Sequence, residues 1–338
     1  MDNINKNNGF EWFASGNAPV LYPTELVTGG FLLDDLTKIN IPESCPFATV
    51  WGKPVSMHLL PEKYHPVPKF IFIVWFSIVE SKFYAVAEEL PQEQIKALLT
   101  EKNEETKDPK YNTLVAGMAP YGKLAIWLSG NGITTEVAWL QGKEAPAEMK
   151  DFAPNSKLSK EEYGKQKLSV CKKAHKNIQD NGLPDEMLFE QYMEKFNYCI
   201  TPTFKNEEAV LKEIEIYYYN GELNTTCLDE YTENVMRAKP SKIVLNWSMG
   251  RTQYSGYFWT NEKKIAETFA NFYGNDTKKK GNLIIEIEKD YKQFRFFLRD
   301  NATVMEIPTE DMQYIIFKNK FEFCRSKNYN KPKGGWRN

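Results

Sequence analysis

Histidine, serine, cysteine and paired carboxylates do most acid–base, nucleophilic and metal chemistry near neutral pH. This chain holds few of them at useful spacings. Of three histidines, His58 and His65 flank "LLPEKY" with prolines nearby, a spacing that does not suit two ligands on one helix face. His175 stands in "KKAHK", where a solvated side chain is expected. Ser77 and Ser248 each come shortly after a tryptophan, but no G-x-S-x-G elbow occurs, and a hydroxyl leaving a strand is expected to bond to backbone. Glu286 and Glu288 share a strand face, which would suit a metal or a glycosidase acid; a solvated sheet face is the plainer expectation. The five cysteines (Cys45, Cys171, Cys199, Cys227, Cys324) form no C-x-x-C pair, which speaks against zinc and against a disulfide framework. No glycine run matches a phosphate-binding loop or a dinucleotide fingerprint. The sequence therefore nominates no catalytic residue, no metal ligand and no cofactor, and it tilts against an enzyme.

The excess lies in aromatics: 8 Trp, 18 Tyr and 21 Phe. Most must fill cores. In "IYYYNG" and "YSGYFWT" they crowd onto strands, and exposed Tyr and Trp are what protein interfaces favour. The sheet face expected to hold Tyr217, Tyr219, Tyr254 and Trp259 is the candidate partner surface. Sugar-binding platforms use the same residue types.

Those strands belong to a pattern that occurs twice. "KFIFIVWFSIVESKFYAVAEELPQEQIKALL" (69–99) and "KIVLNWSMGRTQYSGYFWTNEKKIAETFANF" (242–272) each run through an apolar strand, a polar turn, a Tyr-bearing return strand and an amphipathic helix. Trp75 and Trp247 are 172 residues apart, while Tyr84 and Tyr254, like Ile95 and Ile265, are 170 apart. "LAIWLSGNG" (124–132) lies opposite "FRFFLRDNA" (294–302) at the same offset of 170. A constant offset across successive elements predicts an internal duplication. Each copy reads as β-β-α-β-β: Phe70–Val74, Phe83–Ala87, a helix from Pro91, Gly122–Leu128 and Thr134–Leu140 in the first. The second reads Ile243–Leu245, Tyr254–Trp259, a helix capped by Thr260 or Asn261, Leu283–Ile287, an "EKD" turn and Tyr291–Leu298. The expected class is α+β, two similar antiparallel lobes joined by a helical segment.

Residues 1–150 form the first expected lobe, 151–200 a helical connector and 201–338 the second lobe. In the connector, Ser159 followed by Glu162 is a capping box, and "NGLPD" ends that helical stretch. A second helix is expected from about Asp185. Asn220-Gly221 marks a hairpin, and "LYPTELVTGGFLL" reads as strand–Gly–strand.

With 338 residues, 42% apolar and 26% charged, the chain is long enough to bury cores without staples. A net charge of −2 argues against nucleic acid as the main partner. Lys278-Lys279-Lys280 is expected to be a solvated loop, and the basic tail "KNYNKPKGGWRN" is short. No apolar run reaches the ~20 residues of a membrane span. As written, the start shows no export leader or lipidation site, so a cytoplasmic location is expected, or a periplasmic or membrane-anchored one had a leader been removed.

The words "YPTELVTGGFL", "VWFSIVESKFYAVAEELPQEQI", "AGMAPYGKLAIWL", "YSGYFWTNEKKIAETFANFYG" and "FKNKFEFCRSKNYNKPKGGW" together resemble the bacterial domain-of-unknown-function family 2931, from about Trp12 to Trp336. Many members of that family resemble lipoproteins with an export leader, from which this chain departs. The resemblance carries over no catalytic residue. It implies an immunity-type role, in which the chain binds and neutralises a secreted antibacterial toxin. The expected function is thus a non-enzymatic protein-binding protein; the alternative is a carbohydrate- or lipid-binding module using exposed aromatics.

Overall fold

A computed structural model describes residues 9–42, 47–55, 64–104, 106–226, 231–276, 278–291, 293–318 and 322–325. The fold is mixed α+β, mostly antiparallel sheet, with six α-helices among the described residues. Two compact units divide the chain: 1–191 with 220–222, and 192–219 with 223–338. The helical stretch that was expected to connect two lobes falls almost wholly in the first.

The first half of the chain contains β1 (Phe10–Glu11), β2 (Phe13–Asn17), β3 (Thr24–Leu32), β4 (Lys38–Asn40), β5 (Tyr64–His65), β6 (Phe70–Ser77) and β7 (Lys82–Glu89). There follow α1 (Gln92–Thr100), β8 (Thr113–Met118), β9 (Lys123–Gly130), β10 (Ile133–Gln141) and β11 (Lys143–Glu144). Helices α2 (Met149–Phe152), α3 (Lys160–Val170), α4 (Lys172–Asn181) and α5 (Leu188–Met193) close it. One sheet is antiparallel throughout, in the order β11-β7-β6-β3-β4. Beside it β2, β8, β9 and β10 are successive neighbours, and β2 with β8 is the parallel pair. Strand β6 alternates as its sequence predicts, Ile71, Ile73 and Trp75 facing the core, where Ile95 and Leu99 of α1 join them. The segment read as strand–Gly–strand is instead the single strand β3. It runs through Gly29-Gly30 because a Cβ at Gly30 would sit 2.5 Å from the Ile39 carbonyl oxygen of β4.

Helix α3 begins at the predicted capping box: Ser159 Oγ accepts from the Glu162 N–H, and the Glu162 carboxylate accepts from the Ser159 N–H. It docks through a buried carboxylate. Glu25 of β3 accepts a hydrogen bond from the Tyr163 hydroxyl at 2.8 Å and pairs with Lys167 at 2.8 Å.

The second unit contains β12 (Lys195–Phe204), β13 (Ala209–Tyr218), β14 (Leu223–Thr226), β15 (Val235–Ala238), β16 (Pro240–Met249) and β17 (Thr252–Trp259). After them come α6 (Glu262–Tyr273), β18 (Gly281–Ile287), β19 (Phe294–Arg299), β20 (Val304–Ile307), β21 (Gln313–Lys318) and β22 (Glu322–Arg325). One set of strands runs in the order β14-β13-β16-β17-β21-β22, all antiparallel. The other runs β15-β12-β18-β19-β20, with β12 and β18 parallel. Asn261 caps α6 by accepting from the Lys264 N–H, and Gly274 ends it with φ of 51°. Ile265, Phe269 and Phe272 turn to the core, as the stripe predicts. The return strand starts at Phe294 rather than Tyr291, because Tyr291 takes the left-handed conformation of the turn (φ 57°).

Candidate binding face

Several of the side chains with chemical potential are held by neighbours within the fold. Ser77 is fully buried, donating at 2.7 Å to the Glu80 carboxylate, which also accepts from the Tyr84 hydroxyl and the Tyr121 N–H. That carboxylate is a structural knot; the expected backbone partner for Ser77 is replaced by this side chain. His65 is buried with its ring edge-on to Trp12, and His58 lies outside the described residues. Glu286 pairs with Lys205 at 2.7 Å and with Arg295, and these cations hold its carboxyl below the usual range. The Lys279 side chain does not stay solvated: its ammonium sits 3.8 Å from the Phe272 ring centroid, donates to the Phe272 carbonyl and pairs with Asp300. No cluster of three metal-ligating side chains exists among the described residues. Cys171 and Cys199 are free thiols; Cys45 and Cys227 fall outside the described residues. A cleft of about 360 Å³ beside α6 and β20 is lined by Lys264, Glu267 and Glu306 among others, with no histidine, serine or cysteine.

The aromatic strands of the second unit are different. In a strand, successive side chains alternate between faces. On β13, β16 and β17 the residues Ile214, Ile216, Ile243, Leu245 and Phe258 point into that unit's core. The opposite face is built in rows by the ladder register. Tyr217, Lys242 and Trp259 form one row, and Glu215, Val244, Tyr257 and Ile315 the next. Glu213, Asn246, Ser255 and Phe317 form the third. Val244 and Ile315 are buried at the floor of this face, while Tyr217, Tyr257, Trp259 and Phe317 are half-buried around them. Tyr257 and Trp259 are stacked, 6.2 Å between centroids at 20°, and Phe317 meets Tyr257 edge-on.

Charge is built into the same rows. Lys242 places its ammonium 3.4 Å from the centroid of the Tyr217 ring. The Tyr217 hydroxyl donates to Glu215 at 3.2 Å. Burial first, then the neighbouring Glu215 charge, pushes the Tyr217 hydroxyl up to about 12, and burial and Glu215 raise Tyr257 as well. Ser255 donates to Asn246, which donates in turn to Glu213.

Of the four residues expected on one surface, only Tyr217 and Trp259 are brought together. Tyr254 lies on the core side, stacked on Trp247 with centroids 5.3 Å apart and packed against Tyr291. Tyr219 is past the end of β13, stacked on Tyr192 and bonded to Thr260, and burial raises its pKa. The five-residue step from Tyr254 to Trp259 is odd, so a period of two already sends them to opposite faces. Tyr257 carries the right parity and Phe317 arrives from β21; the first was legible in the alternation, the second only from non-local pairing.

A family model described as "Protein of unknown function (DUF2931)" matches residues 2–186, more than half of the chain. No curated protein and no solved structure matches the chain at a significant level. No described helix is long and apolar enough to cross a membrane.

Proposed function

This chain belongs to the DUF2931 family, and from that premise we propose that it is a non-enzymatic protein-binding protein that docks its partner on the aromatic face of β13, β16, β17 and β21. The observation that carries the reading is that face: four half-buried aromatic side chains over an apolar floor, rimmed by Glu213 and Glu215. Aromatic anchors set among polar groups are the composition of binding hot spots. The partner class is a secreted antibacterial toxin, which the chain neutralises by covering it; the resemblance noted above motivates this class. The test is a titration of the full chain with the product of the neighbouring gene, comparing the unaltered chain with a Tyr257→Ala/Trp259→Ala double variant. Saturable binding that the double variant loses supports the reading; no binding, or binding that ignores the variant, opposes it.

A second reading rests on the near-parallel Tyr257 and Trp259 rings beside the Ser255–Asn246–Glu213 hydrogen-bond chain. Stacked rings next to amide and carboxylate groups also suit a sugar, and a glycan array separates the two.

The duplication belongs to the same proposal. Its support is that both units share one strand scheme: β3-β6-β7 and β13-β16-β17 in one sheet, β2-β8-β9 and β12-β18-β19 in the other. In each, the parallel pair joins the same two positions, β2 with β8 and β12 with β18. The family match ends at residue 186, close to the end of the first unit's main segment, as expected if the second copy has diverged further.

A further inference from the structure

We propose that the corner where α3 meets α4 is an electrostatic seat for an anionic membrane surface, on which the chain lies without spanning it. This does not depend on the protein-binding reading above.

Residues 157–176 hold seven lysines against two carboxylates, Glu161 and Glu162, in a chain whose net charge is −2. Part of that charge is taken up by the fold. Lys167 pairs with the buried Glu25 at 2.8 Å, and Lys160 places its ammonium 5.0 Å from the centroid of the Phe83 ring. The rest faces outward. Lys165 is exposed one turn after Glu161 on the same helix. Lys172 and Lys173 are exposed, and no carboxylate pairs with either among the described residues. Lys176 meets Asp180 at 2.6 Å, an exposed pair that a charged surface readily competes for. On α4 the fully buried residue is Ala174; at about 3.6 residues per turn, Lys172 and Lys176 stand on the opposite side.

The two helices meet at Cys171, whose backbone (φ −87°, ψ 69°) leaves helical geometry. Val170, the last residue of α3, is 68% exposed at that corner, directly before Lys172 and Lys173. Tyr163 and Lys167 anchor α3 to Glu25 and so hold the corner in place. Asp185 and Glu186 follow α4 at its far end, so the seat is the corner and not the whole of α4.

That combination discriminates between anionic partners. Lysine is a point charge on a flexible stem, suited to a diffuse anionic surface. A single carboxylate or phosphate held at a defined place is better gripped by the fork of arginine, and residues 157–176 contain none. Single-stranded nucleic acid needs rings to stack on, and Tyr163, the tyrosine of this stretch, is buried. A valine projecting among lysines gains where it leaves water. A lipid interface takes it in while the lysine stems reach the headgroups.

The experiment is flotation of the full chain with vesicles of equal parts phosphatidylglycerol and phosphatidylcholine, with pure phosphatidylcholine vesicles as control. The chain floats with the first and not with the second, and added salt releases it. Lys172→Ala/Lys173→Ala weakens vesicle binding by about thirtyfold, at roughly fivefold for each lysine. Val170→Ser weakens it by about fourfold. Lys280→Ala/Lys289→Ala removes the same charge from exposed positions of the second unit and leaves binding unchanged. Absence of binding to the anionic vesicles overturns the proposal, and so does an equal loss from the control variant or none from Lys172→Ala/Lys173→Ala. Deleting residues 326–338, which include Lys327, Lys331, Lys333 and Arg337, leaves binding in place; loss on deletion makes the tail the seat and overturns it. Binding to polyglutamate or duplex DNA that depends on Lys172 and Lys173 but ignores Val170→Ser makes an acidic protein or nucleic acid the partner, and sinks it as well.

Discussion

Trp247 lies directly opposite Tyr254 across the β16–β17 ladder, with the two rings stacked at 5.3 Å and 6°. In the first unit Trp75 lies opposite Tyr84 across the β6–β7 ladder, with centroids 5.7 Å apart. Both tryptophans are buried at the floor of their unit's core. Cross-strand aromatic pairs hold hairpins in register, since a one-residue slip would send both rings to the other face. Trp247→Ala removes the largest side chain of this pair and is expected to cost about 3–5 kcal/mol, read by urea unfolding monitored by circular dichroism. A loss below about 1 kcal/mol would mean that the site collapses around the gap.

Glu25 is the hinge on which α3 hangs. Its carboxylate is buried, with Lys167 and Tyr163 as partners. Lys167→Met removes the ammonium counter-charge from that buried carboxylate, at a cost of about 3 kcal/mol. Glu25→Gln costs less, because the Lys167 side chain reaches water. Hydrogen exchange over 160–170 reports the effect directly: faster exchange in Lys167→Met than in Glu25→Gln is the expected order.

High pH acts on the tyrosines. Tyr217 is raised to about 12, and Tyr84, Tyr219 and Tyr273 are raised too, in each case first by burial. A raised folded pKa means that the folded chain holds these protons after the unfolded chain has released its own near pH 10. Stability from this source is complete below about pH 10 and falls as pH rises from there through the folded values. Absorbance at 295 nm is expected to show a group of tyrosines that ionise later than the ordinary tyrosine at about pH 10. Glu215→Gln lowers the Tyr217 pKa by removing the neighbouring charge, while burial, the larger cause, keeps it raised.

The hairpins, α1, α3 and α6 were legible in the sequence because local rules specify them. Alternation gave β6, β7 and β17, the Ser159–Glu162 pair gave the start of α3, and Asn220-Gly221 gave the turn between β13 and β14. Strand β8 was missed: "TLVAGM" is buried on both faces and shows no alternation to read. The parallel pairs β2–β8 and β12–β18 join residues about 100 and 80 apart, and no local signal specifies such pairings. The candidate face was half legible. Tyr217 and Trp259 stand out by their type, whereas Tyr254 lies on the core side, as its odd spacing from Trp259 requires. Gly256, directly between Tyr254 and Phe258, is the core-side clue: a Cβ there would lie 2.9 Å from both Trp247 and Phe258.

If the two units are copies, 70–141 superposes on 240–307 strand for strand, with Trp75 on Trp247 and Tyr84 on Tyr254, a match a crystal structure of the full chain checks. A different strand order in the second unit would exclude duplication.

The most direct measurement is the affinity of the full chain for the protein encoded beside it, set against that of the Tyr257→Ala/Trp259→Ala variant with its fold verified by circular dichroism. The account predicts one-to-one binding that weakens at least about tenfold in the variant, the loss typical of hot-spot aromatics. Equal affinity for both proteins would place the contact elsewhere and contradict it.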